Sequence, residues 1–169
     1  MKSEYSLFLM PSGSVYTKLK NIILRLSREL KSPSFEPHVT LLLRINGTKK
    51  DVIEKTLRLS NNVKKFELRL LGFGYADNYF RCLFFKAIKS RELMEANARA
   101  REIFNYSPKS KFSPHLSLLY GNFDAAIKRK IIKNLGSKFN INFEVDKIKL
   151  YLIAGKPKQW KLVNEFRIH

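Results

Sequence analysis

The chain has 169 residues, of which 44% are hydrophobic and 12% aromatic. This composition excludes a disordered chain and is enough for the core of one domain or two small lobes. No apolar run reaches the roughly 18 residues of a membrane span, and the first ten residues hold too short an apolar stretch for a secretion signal. We therefore expect no membrane partner.

The 33 Lys and Arg residues outnumber the 14 Asp and Glu residues, which gives a formal net charge of +19 at pH 7. Such a charge indicates an anionic ligand, most often nucleic acid, although a solvated Lys-rich surface gives the same number. The single cysteine, Cys82, excludes an internal disulfide and favours a reducing compartment, so we expect a cytoplasmic protein. We interpret Cys82 as a small buried hydrophobic residue.

Hydrophobic periodicity predicts alternating strands and helices in the first half of the chain. Ser12 or Ser14 can cap the first helix, and Thr48 with Asp51 resembles a capping box that opens the second. The predicted elements are a strand at 5–10, a helix through 15–30, a strand at 38–45, a turn at 46–47, a helix through 52–57 and a strand at 66–73.

The second half repeats this order. Ser90 and Asp124 can cap its two helices, and Gly136 can end the second one. We interpret the basic residues of that second helix as solvated surface: Lys128, Arg129, Lys130 and Lys133. The predicted elements are a strand at 79–88, a helix through 93–104, a loop at 106–111, a strand at 115–120, a helix through 127–135, and strands at 143–154 and 160–168.

Two short motifs mark this repeat: residues 37–40 are Pro-His-Val-Thr, and residues 114–117 are Pro-His-Leu-Ser. Successive strand residues point to opposite faces, so each histidine shares a face with the hydroxyl two residues on, opposite the core. A shift of 77 positions aligns the two halves and indicates an internal duplication with a pseudo-twofold axis. It superimposes Phe35 on Phe112, Pro37 on Pro114, His38 on His115, Thr40 on Ser117, Leu41 on Leu118, Leu42 on Leu119 and Phe66-Glu67 on Phe143-Glu144.

These motifs resemble the 2H phosphoesterase superfamily and, within it, the cyclic phosphodiesterases acting on 2′,3′-cyclic nucleotides and ADP-ribose 1″,2″-cyclic phosphate. The resemblance runs almost end to end. Besides both motifs it includes residues 5–8 (Tyr-Ser-Leu-Phe), Cys82, residues 94–96 (Met-Glu-Ala), residues 104–105 (Phe-Asn), Tyr120 and Trp160.

The resemblance and the repeat together predict an α+β fold. In it, two duplicated β-α-β-α-β lobes related by a pseudo-twofold axis have antiparallel sheets that flank a central groove. We predict a single domain over 1–169, with repeat lobes at about 1–75 and 78–154 and a closing strand at 159–168. The axis would bring the two motif strands together in the groove.

Opening a cyclic phosphodiester with water requires a base for the attacking water and an acid for the leaving ribose oxygen. Two histidines with a pKa near 6.5 can hold one neutral base and one protonated acid. Thr40 and Ser117 can donate to the equatorial oxygens, which gain charge in the transition state. The resemblance implies that His115 activates the water and that His38 protonates the leaving oxygen.

The resemblance also implies substrate-binding residues. Tyr120 matches a pocket tyrosine that contacts the phosphate or nucleoside, and Phe8 and Phe80 match two aromatics that hold the base. Relatives commonly have Trp in place of Phe8, so base stacking is expected to be weaker or redirected here. We interpret Trp160 as structural. Stacking tolerates every base, so we expect broad base preference.

We therefore predict a cyclic phosphodiesterase that needs no metal and no cofactor, since no metal-ligand spacing is present. Its expected substrates are 2′,3′-cyclic nucleotides, opened to 2′-phosphates, and ADP-ribose 1″,2″-cyclic phosphate, opened to the 1″-phosphate. The expected setting is RNA metabolism such as tRNA splicing, and the expected state is a monomer. Two alternatives remain open. One is an RNA-end enzyme of the same superfamily, either a 2′-5′ ligase or an end-trimming phosphodiesterase, and the other is a non-catalytic RNA-binding module.

Overall fold

The computed structural model describes residues 3–136 and 138–169, and in these ranges it contains four α-helices and eight β-strands. The helices lie outside a single sheet that contains all eight strands. The strands are β1 (Ser3–Leu9), β2 (Val39–Gly47), β3 (Phe66–Tyr75), β4 (Leu83–Ala87), β5 (His115–Leu119), β6 (Asn140–Val145), β7 (Lys147–Leu152) and β8 (Lys161–Arg167). The helices are α1 (Gly13–Leu30), α2 (Lys49–Ser60), α3 (Arg91–Phe104) and α4 (Ala125–Leu135).

The strand order is β6-β3-β4-β5-β2-β1-β7-β8, and every neighbouring pair is antiparallel. The two strands that carry the histidine motifs, β2 and β5, are therefore central, with three strands on either side. This confirms the predicted α+β fold with duplicated halves. β3 from the first sequence repeat pairs with β4, and β7 from the second pairs with β1. Each repeat thus contributes one strand to the half of the sheet built on the other.

The prediction of one strand at 143–154 is wrong, because the structure has two strands in this region. Asp146 interrupts the strand. β6, before it, pairs with β3, whereas β7, after it, pairs with β1 and β8. The shift of 77 superimposes β3 on residues 143–152, which include the last three residues of β6 and the whole of β7. β3 pairs with both β4 and β6, and its position beside β4 corresponds to that of β7 beside β1.

Two boundaries also differ from prediction. Residues 46–47, predicted as a turn, still belong to β2, and the strand predicted at 79–88 begins only at Leu83. Before it, Tyr79–Arg81 forms a 3₁₀ turn, and the Asn78 side chain accepts a hydrogen bond from the Phe80 amide at 3.1 Å. This local side-chain bond competes with strand geometry. Phe80 therefore lies outside β4, with its side chain 43% exposed.

Two predicted helix caps are present: Thr48 Oγ1 accepts from the Asp51 amide, and Ser90 Oγ accepts from the Leu93 amide, both at 3.2 Å. The side chains of Ser12 and Asp124 occupy N-cap positions without making a cap hydrogen bond. A cap hydrogen bond like those of Thr48 and Ser90 contributes about 1 kcal/mol to the free energy of unfolding.

One basic residue of α4 contradicts its interpretation as solvated surface. The Lys128 side chain is buried, and its ammonium donates to the Ala76 carbonyl at 2.9 Å and to Asp77 Oδ1 at 3.0 Å. It thereby fixes the turn that leads into the 3₁₀ segment. Cys82 is buried and unpaired, as predicted.

Helices α1 and α3 pack against β5 and β2, so they cover the central strands on the core side. Val39, Leu41, Leu116 and Leu118 point into this core and are at most 1% exposed. The alternate residues of both strands point to the opposite face of the sheet, which borders a cavity. None of the four helices is long and apolar enough to cross a membrane.

Candidate active site

The central strand pair brings the two motifs together. Val39 of β2 lies opposite Leu116 of β5 in an antiparallel register. The residues on either side of this pair therefore face their counterparts across the strands, so that His38 lies across from Ser117 and Thr40 across from His115. Each histidine thus neighbours the hydroxyl of the other motif, which sequence spacing alone does not reveal.

A cavity of about 500 Å³ opens over this crossing. The seven residues predicted as site residues all line it: His38, Thr40, His115, Ser117, Tyr120, Phe8 and Phe80. Its wall also contains Arg44, Arg81 and Trp160, which were not predicted to belong to the site. The volume is in the range of small-molecule sites.

The two imidazoles are held in the same way. His38 Nδ1 lies 2.6 Å from the Glu36 carbonyl oxygen, and His115 Nδ1 lies 2.9 Å from the Ser113 carbonyl oxygen. A carbonyl can only accept, so Nδ1 carries the hydrogen in both rings. In the neutral form Nε2 is then the unprotonated nitrogen. Nε2 is therefore the atom of each ring that can exchange a proton with a ligand.

The segment that orients His38 is tied to α1. The carboxylate of Glu36 accepts hydrogen bonds from Tyr16 Oη and, at 2.7 Å, from Lys20 Nζ. Lys20 Nζ also donates to the Phe35 carbonyl at 3.0 Å. These bonds fix the backbone whose carbonyl holds His38 Nδ1. Hydrogen bonds to charged groups contribute about 1.5–3 kcal/mol each.

His115 is held by a different set of neighbours. The edge of its ring packs against Phe84, with centroids 5.1 Å apart, and the guanidinium of Arg81 lies 4.7 Å from the centroid of the same Phe84 ring. Arg81 Nη2 donates to Ser113 Oγ at 2.8 Å, so the residue that orients His115 is itself held. A carboxylate accompanies His38, whereas a guanidinium accompanies His115.

Burial lowers the pKa of both histidines. For His38 the pKa falls to about 4; the Glu36 carbonyl and carboxylate act the other way, and the charge of His115 adds to the lowering. For His115 burial is again the largest cause, the Ser113 carbonyl opposes it, and Arg81 adds to it. Both rings are therefore mainly neutral at pH 7 without ligand. A bound phosphate would favour their protonated forms.

Two further polar residues of the cavity wall, Ser117 and Tyr120, are held in place by neighbouring groups. Ser117 Oγ donates to the Phe80 carbonyl at 3.0 Å. Tyr120 is buried and its ring stacks on Phe35, with centroids 3.7 Å apart and planes at 16°. Burial raises the pKa of Tyr120, partly offset by a hydrogen bond with Ser117. The phenol therefore stays protonated and can donate to an anion.

The cyclic phosphodiesterase-like protein family matches residues 1–168 of this chain. The chain belongs to this family. It is 26% identical over 128 residues to the cyclic phosphodiesterase of Arabidopsis thaliana, a match that covers 76% of this chain and 71% of the relative. The resemblance proposed from the two motifs is thereby confirmed, and the protein is a phosphodiesterase, a hydrolase of phosphodiester bonds.

Solved structures show the same fold at lower identity. The protein TT0787 of Thermus thermophilus aligns with a TM-score of 0.71 and 18% identity, covering 98% of this chain and 97% of that one. The E. coli protein LigT complexed with 3′-AMP aligns with a TM-score of 0.71 and 13% identity, covering 99% of both chains. At these identities the likeness concerns the fold alone.

Among the aromatic residues of this cyclic phosphodiesterase-like protein, Phe8 and Phe80 differ sharply. Phe8 is 2% exposed, and its ring stacks on His38 with centroids 3.8 Å apart and planes at 21°. Phe80 is 43% exposed, and its ring lies 6.4 Å from that of Trp160, with planes at 32°. Phe80 is therefore the accessible ring of the two, and the half-buried Trp160 lies beside it on the cavity wall.

Trp160 was missed by the sequence analysis as a cavity residue. Its ring lies 6.0 to 6.4 Å from those of Phe8, His38, Phe80 and Tyr120, at the centre of the aromatic wall. Trp160 is part of the resemblance but was interpreted as structural, because it precedes the last strand and its place in space depends on how β8 joins β7. Over residues 3–136 and 138–169, no three His, Cys, Asp or Glu side chains form a group that could hold a metal ion.

Proposed function

We propose that the protein hydrolyses ribose 2′,3′-cyclic phosphates, and ADP-ribose 1″,2″-cyclic phosphate, without a metal ion. The observation that carries this proposal is the pair of imidazoles on one cavity wall, each with Nδ1 bonded to a backbone carbonyl and Nε2 left for a proton transfer. One such ring can accept a proton while the other donates one, each transfer contributing about 10²- to 10⁴-fold in rate.

In the proposed reaction a water oxygen attacks phosphorus and gives its proton to Nε2 of His115. The bond between phosphorus and the 3′ oxygen breaks, and that oxygen takes the proton from Nε2 of His38. The product is the 2′-phosphate. Hydroxyl groups of Thr40 and Ser117 stabilise the equatorial oxygens, for which Ser117 gives up its bond to the Phe80 carbonyl.

The charges around the two rings support this direction of proton transfer. The Glu36 carboxylate favours the protonated form of His38, and the Arg81 guanidinium favours the neutral form of His115. Burial disfavours protonation of both rings and is the largest cause of both shifts in pKa, and a bound anion would oppose it in both. The difference between Glu36 and Arg81 supports the assignment of His38 as the acid and His115 as the base.

The base of the nucleotide is proposed to lie against Phe80 and Trp160. Phe8 is too buried to offer a face to a base, so we assign it to the support of His38 instead. A tryptophan at 160 supplies the large aromatic surface that relatives commonly have at the position of Phe8. Stacking of this kind contributes about 1–3 kcal/mol per base.

Phosphorus NMR of 2′,3′-cyclic AMP incubated with the protein in EDTA tests the proposal. The expected product is 2′-AMP, formed at an unchanged rate when EDTA is present. Formation of 3′-AMP, or loss of activity on chelation, would contradict the proposed mechanism.

A second candidate function is the processing of RNA ends that carry a cyclic phosphate. The net charge of +19 favours it, because a mononucleotide needs little of that charge. The discriminating measurement compares kcat/KM for 2′,3′-cyclic AMP with that for oligonucleotides ending in a cyclic phosphate. A preference of more than tenfold for the oligonucleotide at physiological salt would favour the RNA-end function.

A further inference from the structure

A second, smaller cavity of about 220 Å³ adjoins the catalytic one. It lies between β2, α3 and the loop that precedes β5, and the predicted loop at 106–111 forms part of its wall. The two cavities are adjacent, since they share five lining residues: Thr40, Leu43, Arg81, Ser110 and His115. A ligand that reaches His115 therefore has the smaller cavity directly beside it.

Three cationic side chains line this smaller cavity: Arg81, Arg101 and Lys111. No acidic residue is present among its lining residues in the described part of the chain. The ion pairs found within residues 3–136 and 138–169 involve none of the three. Their charge is therefore not neutralised by the protein itself.

Arg81 and Arg101 are partly buried, which costs free energy of solvation. Nε of Arg81 and Nε of Arg101 are inaccessible to solvent and have no hydrogen-bond partner among the described residues. Arg81 makes one side-chain hydrogen bond, from Nη2 to Ser113 Oγ. Partial desolvation of a guanidinium without a compensating anion is unfavourable. An anion in the cavity would offset this cost, and arginine geometry suits phosphate.

We propose that this cavity binds a second phosphate of the substrate, attached to the 5′ carbon of the ribose that carries the cyclic ester. The inference rests on the proposed function, which places the cyclic phosphate at His115. In a 2′,3′-cyclic nucleotide the base occupies the 1′ carbon and the ester occupies the 2′ and 3′ oxygens, so the 5′ carbon is the position left for another phosphate. In ADP-ribose 1″,2″-cyclic phosphate the 5″ carbon already carries the diphosphate. That phosphate can be a terminal group of a small nucleotide or the phosphodiester of an RNA end.

Calorimetric binding of product-like ligands tests the proposal without depending on turnover. Adenosine 2′,5′-bisphosphate is compared with adenosine 2′-phosphate, and a dinucleotide ending in a 2′-phosphate distinguishes a phosphodiester from a terminal phosphate. The variants are Arg101→Gln and Lys111→Gln. Arg99→Gln is the matched control, since Arg99 is an exposed residue of the same helix and loses the same charge.

The bisphosphate is expected to bind about tenfold more tightly than the monophosphate to the unchanged protein and to Arg99→Gln. In Arg101→Gln and Lys111→Gln this ratio is expected to fall below about threefold. A ratio near one in the unchanged protein, or an equal drop in all three variants, would overturn the proposal. Because Lys111 is exposed in a loop, its variant remains informative even where Arg101→Gln fails to fold. Turnover of 2′,3′-cyclic AMP by the same preparations tests the proposed function separately.

Discussion

Phe8 of β1 stacks on His38, with ring centroids 3.8 Å apart and planes inclined by 21°. This ring contact and the bond from Nδ1 to the Glu36 carbonyl fix the imidazole from two directions. A proton donor must lie within hydrogen-bond reach of the leaving oxygen, so small displacements of the ring reduce catalysis. We therefore propose that Phe8 is a positioning residue for the proposed acid.

Substitution Phe8→Leu is expected to lower kcat about tenfold and to lower the free energy of unfolding by about 1–2 kcal/mol, because the stacked pair is lost. Phe73→Leu is the matched control. It removes an aromatic contact with Phe85, 4.7 Å between centroids, away from the cavity. Steady-state kinetics and urea denaturation measure both effects. Equal kcat values for the two variants would contradict a positioning role for Phe8.

Trp160 is the only tryptophan of the chain, so its fluorescence reports directly on the proposed base platform. Addition of 2′-AMP to the protein is expected to quench this fluorescence. Trp160→Leu is expected to raise KM for 2′,3′-cyclic AMP by about 5- to 150-fold, which corresponds to a stacking contribution of about 1–3 kcal/mol. Trp160→Phe should retain most of the affinity. An unchanged KM in Trp160→Leu would exclude Trp160 from substrate binding.

Much of this site follows from the sequence because a strand alternates faces. The motif spacing alone predicts that His38 and Thr40 share one face and that His115 and Ser117 share another, and all four line one cavity. The internal repeat predicts further that the two faces meet. Both the period-two alternation and the internal repeat can be read directly from the sequence, and the fold preserves them.

Other features depend on contacts between distant parts of the chain. The break at Asp146, which sends β6 and β7 to opposite halves of the sheet, has only a weak local marker: an aspartate, and a change in the alternation of buried residues from 141, 143 and 145 to 148 and 150. Lys128 is part of a basic helix face, yet its ammonium turns inward to Asp77, 51 residues earlier. The place of Trp160 likewise depends on tertiary structure.

The carboxylate of Glu36 is expected to determine which histidine acts as the acid. Removing its charge in Glu36→Gln should lower the pKa of His38 in the substrate complex, because an opposite charge favours the protonated ring. The alkaline limb of the kcat profile should then move to lower pH. Glu165→Gln, which removes a carboxylate paired with Lys147 and Lys149, is the control and should leave the profile unchanged. Movement of the acidic limb instead would reverse the assignment of acid and base.

Burial of His38 should make the protein less stable in acid. The unfolded chain takes up a proton on His38 near pH 6.5, whereas the folded protein does so only near its lowered pKa of about 4. Between these values the unfolded state binds more protons, so unfolding becomes easier as the pH falls. The contribution lost between pH 7 and pH 4 is about 3 kcal/mol. Urea denaturation at several pH values measures this effect. Between pH 7 and pH 4 the free energy of unfolding of His38→Gln should fall by about 3 kcal/mol less than that of the unchanged protein. An identical fall in both proteins would contradict the burial of a neutral ring.

The most direct test of the central claim is turnover of 2′,3′-cyclic AMP by His38→Ala, His115→Ala and the double variant. His169, an exposed residue at the chain end, supplies the control His169→Ala. Each active-site variant is expected to lose about 10³-fold in kcat or more, and the double variant little beyond that, because residues that act as a unit are not additive. His169→Ala should match the unchanged protein. A double variant that retains more than a tenth of the original kcat would show that the two imidazoles do not carry the reaction.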